Sequence, residues 1–162
     1  MSRRAEQRQR ATGRRESGSF IAVPHAILES DAYRTLGAHA VKLLFDLASQ
    51  FRGSNNGDLS AAWRIMQPRN WRSRETLSRA LHELQAHGLI EKTRQGGLNC
   101  CSLYSLTWQA IDACDGKLDA APTHVASGRW RIWNVQAAEQ NASTPCVSAR
   151  HAQRVSDAQQ AA

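Results

Sequence analysis

A chain of 162 residues carrying 21 lysines and arginines against 14 acids, net charge +7 and pI near 9.9, has room for one modest core with tails and not for two full domains. No apolar run approaches the ~20 residues that a bilayer crossing needs, and the arginine-rich start lacks the apolar stretch of a secretory signal, so no membrane is expected and the setting read from the chain is cytoplasmic. Cys100, Cys101, Cys114 and Cys146 make no CxxC pair and have no histidine at ligand spacing, so no metal is expected, and a strand alternation across Cys100 and Cys101 should bury one of them.

Taken in order, residues 1–19 hold Arg3, Arg4, Arg8, Arg10, Arg14 and Arg15 against Glu6 and Glu16. With no large apolar residue after Met1, this arm cannot bury enough surface to offset its ordering entropy and is expected to be disordered in isolation. A basic arm of this kind either follows a phosphate backbone or is a plain solubilising tail. From Phe20 to Val23 the chain reads as an extended apolar segment, with Pro24 opening a short helix that carries Ile27 and Leu28. Ser30-Asp31 is a second start signal. The clearest helix runs from about Gly37 to Phe51, because Val41, Leu44, Ala48 and Phe51, with Leu43 and Leu47 alongside, make one apolar stripe at helical spacing.

The string from Arg52 to Gly57 is turn chemistry, and Asp58-Leu59 is short enough for an edge strand. Ser60 is expected to cap a helix from Ala61 to about Met66, with Trp63, Ile65 and Met66 on its buried side and Pro68 preventing its continuation. Ser73, with Glu75 in the first turn, opens the next helix, 73–87, whose packed face is Leu77, Ala80, Leu81 and Leu84. His87-Gly88 ends it. Leu89 to Gln95 follows as a strand, Gly96-Gly97 as a tight turn, and Asn99 to Trp108 as the returning strand. Ile111 and Leu118 can pad the domain. The cluster Trp130-Arg131-Ile132-Trp133 either stacks on bases or, more ordinarily, docks a terminal segment on its own domain. Residues 134–162, rich in Ala, Gln and Ser, read as a disordered tail, leaving 20–133 as the folded domain.

Charge is unevenly spread. Residues 19–52 balance, whereas Arg64, Arg69, Arg72, Arg74 and Arg79 face one acid, Glu75, between Leu59 and Arg79. A helix glued by Leu77, Ala80 and Leu84 turns Arg79 outward with Ser78 and His82 beside it. A guanidinium there can bond bidentately to guanine O6 and N7. Arg72, Ser73 and Arg74 at the helix entry suit phosphate. Arg94, Gln95 and Asn99 flank the hairpin glycines and suit backbone or minor-groove contact, while each of these residues alone could equally be solvated surface. No nucleophile elbow, P-loop or HExxH is present, so neither catalysis nor a cofactor is expected.

The order of helix, turn, capped helix and hairpin, together with the stretches Asn56-Gly57-Asp58-Leu59-Ser60, Trp71-Arg72-Ser73-Arg74-Glu75-Thr76-Leu77, Leu84 to Ile90 and Leu103 to Trp108, resembles the small winged helix-turn-helix proteins of phages and other bacterial mobile elements. The resemblance covers residues 20–133. It implies a mainly α fold with a small β-hairpin wing, and a double-stranded DNA partner in transcription regulation or replication, with pairing of two copies on a palindromic site left open. The rival expectation is a winged helix that binds a protein partner without reading DNA.

Overall fold

The computed structural model describes residues 19–133; the expected basic arm, apart from Ser19, and the expected tail from 134 onward lie outside them. The architecture is mixed α/β, with helices leading into a two-stranded antiparallel hairpin. Residues 20–23 carry no regular structure; Val23 packs on the core, but Phe20 and Ile21 stay exposed. Pro24 precedes helix α1 (His25–Leu28) as its cap rather than opening it. Helix α2 (Asp31–Arg34) is capped as the sequence suggests, Ser30 Oγ accepting from the Tyr33 N–H.

The long helix α3 (Ala38–Ala48) stops three residues short of Phe51 and buries Ala40, Leu43, Leu44, Leu47 and Ala48. Helix α5 (Arg74–Ala86) lies on it through Leu77, Ala80 and Leu84. Glu83 extends from α5 to accept the Gly37 N–H at 2.6 Å, which ties one helix's side chain to the start of the other and satisfies a group that helix ends leave orphaned. Between them, helix α4 (Trp63–Met66) is shorter than expected and starts later. The reason is Gln50. Its amide donates to the Ser60 carbonyl and accepts from the Ser60 N–H, both at 3.0 Å, which holds that backbone extended, and Ser60 Oγ accepts from the Ala62 N–H. Ile65 consequently faces solvent; Met66 alone of the three expected residues is fully buried.

Strands β1 (Ile90–Arg94) and β2 (Leu103–Leu106) pair antiparallel with Ile90 opposite Leu106, and the register shifts between Lys92 and Arg94. The shift sends the Thr93 carbonyl to the backbone N–H groups of Asp119 and Ala120, while Thr93 Oγ1 donates to the Gly57 carbonyl at 2.6 Å. On its other edge β2 meets Leu59, which exchanges backbone hydrogen bonds with Tyr104. All four β2 residues are therefore buried; the expected edge strand is this single bridge.

The hairpin's reversal is not at Gly96-Gly97. Gly97 and Cys100 form a bridge, and the turn between them is Leu98-Asn99, with Asn99 in the left-handed region at φ 61°. Gly96 is needed for close approach, since a side chain there would meet the Ser102 backbone nitrogen at 2.7 Å. Because β2 starts only at Leu103, the alternation expected to bury one cysteine never applies. Cys100 and Cys101 are both exposed. Among the described residues, no helix is long and apolar enough to cross a membrane.

Candidate nucleic-acid interface

The segment between α4 and α5 is a 3₁₀ turn, Gln67–Arg69, closed by Asn70 in the left-handed conformation. It is fastened to α3 by one carboxylate. Asp46 accepts from Trp71 Nε1 at 2.8 Å and from Lys42 Nζ at 2.6 Å, and Arg69 Nη1 reaches its backbone carbonyl at 3.1 Å. Lys42 also donates to the Arg69 carbonyl and lies 5.0 Å from the Trp71 ring. In the sequence Asp46 counts only as one of the balanced charges of residues 19–52, and beyond its i,i+4 spacing from Lys42 nothing there points to this bracket. Asp46→Ala is expected to cost roughly 2 kcal/mol, because it leaves the buried indole N–H unpaired, and urea denaturation of the two proteins measures that loss.

Helix α5 then starts where Ser73 directs it, with Ser73 Oγ accepting the Thr76 N–H at 3.3 Å. The residues chosen for base contact are all outward: Ser78, Arg79 and His82 are exposed, as are Arg72, Ser73 and Arg74 at the entry. Arg79 Nε stands 4.0 Å from Glu75, with 73% of its side chain exposed, a pairing too solvated to hold the guanidinium in place. Arg74 lies 5.3 Å from the Trp63 ring. Beside the helix entry is a cleft of about 320 Å³ lined by His39, Lys42, Asn70, Trp71, Arg72, Ser73 and Thr76. Arg72 and the helix start give the cleft a positive side, while Lys42 in its wall is held by Asp46.

The hairpin residues divide. Arg94 is a brace: its Nε and Nη2 donate to the Cys101 carbonyl at 3.3 and 3.0 Å, and its Nη1 to the Lys117 carbonyl at 3.4 Å. Gln95 accepts from Lys92 Nζ and gives its backbone N–H to Asp119 at 2.7 Å. Asn99 is exposed at the turn.

The late tryptophan cluster lies at the opposite end of α5 from its entry. Trp130 is buried in the core, and Trp133 stacks on His87 with ring centroids 4.2 Å apart. His87 is itself buried, its Nδ1 2.7 Å from the Ala32 carbonyl, where the sequence suggested only a helix end. Residues 128–133 thus close the C-terminal end of α5 and leave its outward face uncovered.

No protein-family profile and no curated protein matches this chain. Among solved structures it is similar to one named "N-Terminal domain of DNA binding protein", at 17% identity and a TM-score of 0.41, over 90% of this chain and 97% of that one.

Proposed function

We propose that this chain is a winged helix-turn-helix protein that binds double-stranded DNA, with α5 in the major groove and the β1–β2 hairpin as the wing. It has no catalytic role in this reading. The observation that carries the proposal is the division of α5: Leu77, Ala80 and Leu84 are buried while Arg79, Ser78 and His82 are exposed, with arginines at the entry. Arg79 is the base-reading residue; Arg72 at the cleft and Arg74 at the helix entry contact phosphate. The resemblance to proteins of phages and mobile elements supports a place in transcription regulation or replication, in the cytoplasm, and pairing of two copies would follow from a palindromic site.

Titrating labelled duplexes over a range of salt concentrations tests the reading. Affinity is expected to fall by about 0.9 logarithmic units per logarithmic unit of salt for each phosphate neutralised. Arg79→Ala is expected to cost ~1–3 kcal/mol on the preferred sequence and to relax choice at one position, whereas Arg72→Ala weakens all duplexes alike. Binding that is indifferent to salt and to both substitutions would instead mark a protein-interaction module.

A further inference from the structure

Leu98 is the most exposed large apolar side chain among the described residues, at 95%, and it stands at the tip of the β1–β2 loop. Single exposed leucines are common on proteins, but this one is presented by a loop that is held from both sides. Below it, Gly97 and Cys100 exchange backbone hydrogen bonds of 2.9 and 3.2 Å. Further down, the Gly96 N–H donates to Ser102 Oγ at 3.0 Å, and Arg94 and the Gln95 N–H tie the base to Cys101, Lys117 and Asp119. Neither packing nor backbone asks for leucine here. The side chain touches almost nothing, and the left-handed residue of the turn is Asn99.

We infer that Leu98 is an apolar wedge that enters the minor groove of duplex DNA and opens a base step. The inference rests on the DNA-binding reading above and adds to it a deformation of the duplex. A side chain at Gly97 would meet nothing within 4 Å, so the two-residue tip protrudes with Leu98 at its apex. Asn99 beside it carries the donor and acceptor that the groove floor can use. An aliphatic side chain inserted at a step partly unstacks it and bends the duplex toward the major groove. A loop free to fold back could not deliver that push; this one is fixed to its own hairpin.

The test uses the full chain and a duplex selected by it from a random pool, with dyes at both ends to report bending. Leu98→Ala, which removes no packing, is expected to lower affinity about tenfold and to straighten the duplex; Leu98→Phe is expected to keep the bend. Cys100 and Cys101, both exposed beside the tip, are expected to react more slowly with a maleimide in the complex than in the free protein. A Leu98→Ala protein with the parental bend and affinity, or thiols equally reactive with and without DNA, overturns the wedge while a loss of preference in Arg79→Ala leaves the major-groove reading standing. A change in self-association caused by Leu98→Ala in the absence of DNA also overturns it, in favour of contact with a second copy. Absence of any duplex binding by the parent removes both readings together.

Discussion

Asn56→Ala is expected to destabilise the fold by roughly 3 kcal/mol, a large share of the ~5–15 kcal/mol that holds a domain of this kind together. Asn56 is fully buried. Its Oδ1 accepts the Leu106 N–H at 2.8 Å, and its Nδ2 donates to the carbonyls of Leu106, Gln109 and Ala110 at 3.0, 3.1 and 2.9 Å. Its own backbone is clasped by Asp112, which takes the Asn56 N–H on its carboxylate at 2.7 Å and donates back at 2.8 Å. One amide side chain therefore closes the end of β2 and holds the chain that follows it. Truncation leaves a buried N–H without an acceptor, which is the costly half of a broken hydrogen bond. Asn56→Asp is expected to be at least as damaging, since a carboxylate would face three carbonyl oxygens with no donor. Equilibrium unfolding in urea distinguishes these expectations from a surface-turn role, in which both substitutions would fall within about 0.5 kcal/mol of the parent.

Trp130→Ala is expected to cost ~3–5 kcal/mol, the range for removing a large aromatic from a packed site. Trp130 is 6% exposed within the main core, and the Arg131 guanidinium lies 4.7 Å from its ring. The segment arrives by direct backbone approach: a side chain at Gly88 would lie 2.9 Å from the Arg129 carbonyl, so glycine alone fits there without displacement. The indole N–H has no hydrogen-bond partner among the described residues. Trp130→Phe therefore sacrifices volume without a polar partner, and a smaller cost than for Trp130→Ala is expected, set by the cavity left behind. The same unfolding measurement, made on both variants, separates core packing from a nucleic-acid role: a tryptophan kept for stacking on bases would lose binding on substitution with little loss of stability.

Much of this arrangement is legible in the chain because it is local. Ser30 and Ser73 mark their helices by the oxygen they offer to the N–H three residues on, and the stripes Leu43-Leu44-Leu47 and Leu77-Ala80-Leu84 show which sides pack. The departures come from partners far away in sequence. Asn56-Gly57 reads as turn chemistry, yet its amide is consumed about fifty residues later by the end of β2. Ser60 looks like a helix cap until Gln50 takes its backbone. Gly96-Gly97 looks like a reversal until Ser102 packs against it and moves the turn to Leu98-Asn99. Of the candidate site, the outward set on α5 follows directly from period and burial. Arg94 does not, because nothing local distinguishes a guanidinium facing solvent from one folded over the carbonyls of its own hairpin.

The two faces of α5 answer to different masters. Leu77, Ala80 and Leu84 are buried in the core, whereas Ser78, Arg79 and His82 are exposed and, among the described residues, their side chains make no polar contact beyond the loose Glu75–Arg79 pairing. Outward residues can thus be exchanged as a set without disturbing the inward ones, so a transplanted triplet at 78, 79 and 82 would leave the melting temperature nearly where it was. A lineage carrying this scaffold could change the character of that outward surface by rewriting three codons, with the folded core left as it is.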